Sequence, residues 1–598
     1  MKIKLLLFGL LALTFSGCKK LLEEDLQLIR SADQIYVDPV FAQGFVLQAY
    51  RTIPPYYNNS DLATDDAVVN LSANAALTAF RQVATGSWTP TNATMSVWNG
   101  SYSAILYVNQ FLANSNKSRF ANDPAANKLL NFRMRGEAFG LRALHMYFLL
   151  RHHAGVTPDG QLMGVPIVTD YQDPASTNFN QPRATFDACV KQIYSDLDSA
   201  EYYLPTEYVD LTAASQIPAQ YASITQNFAA YNQAMGKTFR QLFNGLIAKS
   251  VRSRVALLAA SPAFQHASNP ATWEQAANAA ALVITYKGGP NSLVRPTGQL
   301  PGHTFYDNRA EIDALSQGDN PHEMIWREVR QNTNSDREAQ NFPPSLFGNG
   351  VINPTENLVE SFPMANGYPI GHGSSAYVAS NPYANRDPRL RAYILYNAHP
   401  DHTTIRTGSQ SGTADGINVR TTSTRTGYYL RKTLRWDVSL TPGSVTGRNR
   451  YNPRIRFTEI CLNYAEAANE AWGPKGSGPN TFSAYDVIKA IRTRAGVGTS
   501  NNHAYLEECA TDKTKMRELI KNERRLELSF EGFRFWDIRR WKESLTKLNE
   551  TARGLDVNGN VYTPINVEER AFQNHMIYGP IPYSEVLKYS NLQQNANW

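Results

Sequence analysis

The feature that most constrains this chain is a charged helix that must turn inward. Around Leu519–Trp541, the residues Met516, Leu519, Leu526 and Phe530 recur at helical spacing. Glu523 lies on the stripe they form, and Glu527 sits at its edge one turn later. A helix that buries this stripe takes carboxylates with it, and buried carboxylates need cations beside them. The same run supplies Arg524, Arg525, Arg534, Arg539 and Arg540, among Phe530, Phe533, Phe535, Trp536 and Trp541. Gly532 follows the last periodic residue, where a left-handed helix end is cheapest, and Phe533 can close over it.

Two acids among five arginines suit either a catalytic pair or a structural lock. With Cβ atoms about 6 Å apart at i,i+4, rotation of Glu523 and Glu527 reaches either glycosidase separation. A general acid, however, needs a raised pKa, and surrounding guanidinium groups lower it. The pair would also be wasted on an inward-facing stripe. The run therefore reads as a lock, with Glu523 and Glu527 held by Arg524, Arg525 and Arg534, joining the last long helix to the C-terminal tail. Other catalytic patterns are absent: there is no Gly-x-Ser-x-Gly, phosphate loop, His-Glu-x-x-His or zinc-spaced cysteine pair. His152 and His153 are adjacent, so on a helix they point apart rather than to a shared metal.

The N-terminus carries an address. Lys2 and Lys4 precede the apolar run Leu5–Phe15, which is too short to span a bilayer. Phe15-Ser-Gly-Cys18 then reads as a lipobox, with residues 1–17 a signal peptide and Cys18 the lipidated N-terminus of a tethered body. Loss of residues 1–17 removes two lysines from a formal net charge of +6. The remainder is too balanced for a nucleic-acid reader. Cys189, Cys461 and Cys509 are too widely spaced for a disulfide framework or a metal site.

Along the chain, helical periods cover Asp38–Tyr50, Met95–Asn114, Asn127–His153, Thr185–Tyr203, Lys237–Ala260 and Ala271–Tyr286. From Gly288 to about Pro453 the helical period disappears among Gly, Pro, Asn and Thr, a stretch too long for one loop. Helices resume at Ile455 and Tyr485, and a coil-rich tail follows Trp541. The expected fold is mostly α: a tetratricopeptide-like helical-repeat scaffold packed against an irregular, loop-rich lobe. The expected divisions are a helical region over 18–286, the lobe over 287–453 and a second helical region over 454–598, together one compact unit.

Ligand contacts concentrate in loops on a rigid scaffold, and 11% aromatic residues suits a chain that stacks flat rings on a ligand. Trp88, in a Gly/Thr/Pro/Asn loop, is the first candidate for stacking on a sugar, with Asp65, Asp66 and Arg81 bonding hydroxyls. Tyr306, Phe342 and Phe347 are similar candidates in the lobe. Trp98 sits on an apolar helix band and reads as core. Asp61, Asp65 and Asp66 offer calcium-type oxygens but lack calcium-loop spacing, so the segment reads as a solvated loop and no cofactor or metal is assigned.

Ordered segments carry a resemblance. They are the lipobox at Cys18, Arg135-Gly-Glu-Ala-Phe-Gly-Leu-Arg142, Gly164-Val-Pro-Ile167, Asn366-Gly367, Arg386-Asp-Pro-Arg-Leu390, Pro453-Arg-Ile-Arg-Phe-Thr-Glu459 and Ile491-Arg-Thr-Arg-Ala-Gly496. Asn522–Trp541, Gly579-Pro-Ile-Pro-Tyr-Ser-Glu585 and Gln594-Asn-Ala-Asn-Trp598 complete the series. Together they resemble the SusD/RagB family of outer-membrane lipoproteins from Bacteroidetes. The resemblance implies a mostly α fold and a non-enzymatic, lipid-anchored surface protein. It also implies capture of a glycan, delivery to a SusC-like TonB-dependent transporter and a role as that transporter's lid. The alternatives are peptide capture, as in the RagB branch, and glycoside hydrolysis. The shared motifs are scaffold motifs and bring no ligand residues with them.

Overall fold

The structure, a computed structural model, describes residues 32–92, 94–173, 176–293, 309–316 and 318–598. Cys18, the signal peptide and Tyr306 lie outside them. Ten helices carry the frame: α1 (Pro39–Arg51), α2 (Trp98–Asn114), α3 (Pro124–His153), α4 (Phe186–Tyr203), α5 (Gly245–Ala260), α6 (Trp273–Tyr286), α7 (Phe457–Trp472), α8 (Ala484–Ala495), α9 (Lys513–Glu527) and α10 (Arg534–Arg540). Side-chain caps fix several starts. Asp38 accepts from Val40 N–H with Pro39 at the first turn, Asp123 from Ala126 N–H with Pro124 behind it, and Thr185 from Ala188 N–H. The helix expected from Lys237 begins only at Gly245, because the Asn244 side chain caps Ile247 N–H after a separate 3-10 turn at Lys237–Phe239.

Successive helices pack on one another from α1 to α6, and α6 packs directly against α7 although the whole irregular region lies between them in sequence. α7 in turn packs on α8 and α9. Close approach depends on small residues: a Cβ on Gly140 of α3 would overlap the Phe243 ring, and one on Gly136 would overlap Leu204.

Strands are short, and every sheet among the described residues is two-stranded. They include β1 (Ala67–Val69), β2 (Met324–Arg327), β3 (Ile352–Pro354) and β4 (Pro453–Arg456). β1 pairs antiparallel with β3, and β4 with β2. The tail is not coil throughout. β5 (Ala552–Asn558) and β6 (Val561–Glu568) form an antiparallel hairpin turning at Gly559, whose φ is +61°. The alternating pattern of β5 was hidden by its charged outward positions.

Two apolar cores dominate, with smaller clusters beside them. The larger fills the helical scaffold. The smaller gathers Leu62 and Val69 of the N-terminal region, Leu358, Phe362, Leu390, Tyr393 and Tyr428 of the irregular region, and Leu555 and Val557 of β5. α9 bridges them: Met516, Leu519 and Ile520 enter the larger core, whereas Leu526 and, beyond the helix, Phe530 enter the smaller.

Candidate functional site

The acids of α9 sit where the two cores meet, and they are locked, although not by the expected arginines. Glu523 pairs with Arg492 at 2.6 Å and Arg389 at 2.9 Å. Glu527 pairs with Arg494 at 2.6 Å and Arg389 at 3.1 Å. Arg494 and Arg456 both reach Glu323, at 3.1 and 2.7 Å, while Lys432 and Arg456 hold Glu531 and Arg389 holds Asp387. The network is neutral: Arg389, Lys432, Arg456, Arg492 and Arg494 face Glu323, Asp387, Glu523, Glu527 and Glu531. The lock therefore joins the irregular lobe to the helical scaffold, not α9 to the tail. Burial alone would raise Glu523, but Arg389 and Arg492 outweigh it and hold the carboxyl below its ordinary value. Arg494, Arg389 and Arg456 do the same for Glu527. Neither is a general acid.

The arginines expected to hold these acids serve others. Arg524 bonds Asp537 at 2.7 Å, Arg525 bonds Asp65 and Asp66, and Arg534 bonds Asp65 at 3.0 Å. Their helical phase explains the division, since Arg525 points away from the stripe of Glu523 and Glu527, toward the Asp61–Asp66 segment.

That segment is not a solvated loop. Residues 60–70 are buried throughout, and Asp61 Oδ2 accepts from Gly532 N–H at 2.8 Å. Asp65 and Asp66 are thus parts of the frame rather than hydroxyl binders. Trp88 is 3% exposed, edge-on to Phe535 and Trp598 at 5.6 and 5.1 Å, with the Arg539 guanidinium 4.9 Å from its ring centre. No face remains for a sugar. Phe342 is also buried, stacked on Trp436 at 4.6 Å. Arg81 is partly exposed but its Nε is held by Glu568 at 2.6 Å. Only Phe347 stays open among the described aromatic candidates, 56% exposed and in a left-handed turn at φ +63°.

A concave, aromatic surface instead lies where the chain following Pro166 meets the C-terminal segment. Trp98, Tyr102, Val168, Phe179, Tyr589 and Leu592 line a cleft of about 250 Å³, with Asn99, Gln172, Gln181 and Glu585 at its polar edge. Each wall has a physical cause. The Trp98 and Tyr102 rings lie one helical turn apart, 4.8 Å between centres, and Tyr102 Oη donates to Pro166 O at 2.8 Å. Buried Arg183 binds Gly164 O and Asn595 Oδ1, both at 2.8 Å. Asn180 Nδ2 donates to Ser590 Oγ at 2.9 Å, and Asn591 N–H donates to Asn180 Oδ1 at 2.9 Å. Phe179, 40% exposed, is thereby held open over the cleft. Apolar walls with a few amides and one carboxylate match the usual make-up of a small-ligand site. Sequence reading placed Trp98 in the core, correctly by its 6% exposure, but the cleft unites segments 410 residues apart in sequence, and no local signal announces it.

Similarity to known proteins extends over most of the chain. A family model described as the SusD family matches residues 322–598, and one described as starch-binding associating with outer membrane matches residues 40–227. A SusD-like protein of Formosa agariphila is 26% identical over 145 residues, 24% of this chain and 24% of that relative, so most of its length lies outside the match. A solved SusD-like carbohydrate-binding protein of Bacteroides fragilis shares 20% identity, covering 94% of this chain and 100% of its own, with a TM-score of 0.65. A laminarin-binding SusD-like protein shares 18% over 94% and 100%, with a TM-score of 0.54. At these identities the structural matches show the fold.

Proposed function

Because this chain belongs to the SusD family, we propose that it is a non-enzymatic surface protein that captures a glycan and passes it to a SusC-like TonB-dependent transporter, over which it acts as a lid. The matching model's description, starch-binding associating with outer membrane, supports the substrate class and the location. So does the laminarin-binding protein that shares its fold. Lipidation at Cys18 would hold the body at that membrane and keep a weak binding site useful through its high local concentration.

The observation that carries the reading is the aromatic cleft of Tyr102, Tyr589 and the exposed Phe179, edged by Asn99, Gln172 and Gln181. A sugar ring presents an apolar C–H face to an aromatic wall and hydroxyl groups to amides. Phe347 offers a second exposed ring on the lobe. The paired, pKa-lowered state of Glu523 and Glu527 supports binding without hydrolysis.

The test is affinity electrophoresis and calorimetry of the mature protein with starch, laminarin and their oligosaccharides, with a peptide library in parallel. Binding to a glycan without release of new reducing ends is the expected result. Binding confined to peptides, or glycan cleavage, would overturn the proposal.

A further inference from the structure

The aromatic cleft has a charge of its own. Rings, aliphatic groups and amides make up its walls, and Glu585 is the one charged side chain among the described residues that line it; no lysine or arginine does. Glu585 belongs to the short helix Tyr583–Lys588 and is buried, so the protein rather than solvent sets its position. Its Oε1 accepts from the Lys588 ammonium at 2.7 Å and from the Ser584 hydroxyl at 3.3 Å. Among the described residues no group donates to Oε2, which leaves that oxygen to the cleft.

Nearby cations do not offset this carboxylate. Lys588 is 58% exposed along its side chain and answers one oxygen only. Arg183, which ties the wall to the C-terminal segment, gives its N–H groups to oxygens of Gly164, Gln593, Asn595, His153 and Met163, so none is left for a ligand. Asp170 and Asp173, both exposed, stand on either side of Tyr171 and Gln172 in the adjoining wall. The approach to the cleft is therefore acidic, although the chain as a whole carries a formal charge of +6.

We propose that Glu585 sets the charge class of the ligand: the cleft takes a neutral glycan and turns away glycans that carry uronate or sulfate groups. A sugar hydroxyl donating to Oε2 makes a charge-assisted hydrogen bond while the ring face packs on Phe179 and Tyr589. A sugar carboxylate or sulfate in the same place meets a like charge in a partly dehydrated cleft, with no cation to answer it. This inference rests on the reading of the cleft as the glycan site.

The probes are laminarin and starch, each beside a counterpart oxidised at C6 to the uronate, which keeps the linkage and changes the charge. Polygalacturonate serves as a glycan acidic throughout. Calorimetry of the mature protein at low salt should show the oxidised polymer binding about tenfold or more weakly than its parent, with the gap narrowing at high salt. Glu585→Gln should close the gap by strengthening binding of the oxidised polymer. Lys588→Ala, a change at an exposed position, should widen it by uncovering Oε1, and this arm stands even if Glu585→Gln fails to fold. Equal binding of parent and oxidised polymer in wild type, a preference for polygalacturonate, or a gap that neither variant alters would overturn the role of Glu585 and leave glycan capture standing. Binding to none of these polymers would overturn both.

Discussion

Arg389 and Glu527, 138 residues apart in sequence, meet at 3.1 Å with essentially no solvent exposure, and the same Arg389 nitrogen reaches Glu523 at 2.9 Å. One lobe side chain thus sits between the two acids of α9. Removing Glu523 leaves Arg492 buried without a carboxylate, whereas Arg389 keeps Asp387 and Glu527. Glu523→Ala, which abandons Arg492 and takes one of three carboxylates from Arg389, should cost about 3–5 kcal/mol of stability. Urea denaturation of the mature protein measures this, and an unchanged midpoint would refute the lock. Intrinsic affinity for ligand in the folded fraction should not change.

Trp88 gives the opposite test to the one its loop composition suggests. It fills a core of Val83, Met95, Phe535 and Met576 and carries the Arg539 cation on its ring. Trp88→Ala should therefore destabilise by about 3–5 kcal/mol, through a cavity and an exposed guanidinium. Calorimetry at a temperature where the variant is folded should show wild-type affinity; a selective loss of binding would mean that Trp88 contacts ligand after all.

Acid and neutral pH should act through different groups. Burial would raise Glu323, but Arg494 and Arg456 prevail and bring it down to about 2 from an ordinary 4.5. Its contribution is full above pH 4.5 and is lost as pH falls toward 2. Asp61 runs the other way: burial, then Asp66, push it up to about 7 from 3.8. Between these values the folded state binds the extra proton, so stability from this group falls as pH rises, by at most about 1.4 kcal/mol per pH unit. Asp61→Asn keeps an acceptor for Gly532 N–H and should flatten the stability profile between pH 4 and 7. An unaltered slope in denaturation at several pH values would count against the assignment.

The sequence made the helices legible because their apolar period and caps are local: Asp38 with Pro39 and Thr185 with Ala188 settle their starts within four residues. It also disclosed that Glu523 is buried. It could not disclose who holds it. Arg389, Arg492 and Arg494 belong to segments whose own patterns say nothing of α9, and the nearer Arg524 and Arg525 were the natural but mistaken partners. Burial misled in the same way at Asp65, Asp66 and Trp88. Polar, Gly/Pro-rich context signals an exposed loop, yet here β1 pairs with β3 and the tail ending at Trp598 closes over Trp88. Such cover is supplied by distant chain and leaves no periodic trace.

Phe179 and Phe347 divide the question of where ligand binds. Phe179 stands over the cleft, held there by contacts of Asn180 and Arg183 with the C-terminal tail, whereas Phe347 projects from the lobe. Both are exposed, so truncation to alanine removes contact surface with little change in the core. If the cleft stacks the sugar, Phe179→Ala should weaken binding by about 1–2 kcal/mol, some tenfold in Kd, and Phe347→Ala should leave it unchanged. Gln181→Ala should weaken it further through a lost hydroxyl contact, and the Phe179 and Gln181 effects should be coupled rather than additive because both groups touch one bound ring. Isothermal calorimetry with the best oligosaccharide decides between the surfaces. Loss in Phe347→Ala with wild-type behaviour in Phe179→Ala would move the site to the lobe and leave the cleft without a role in capture.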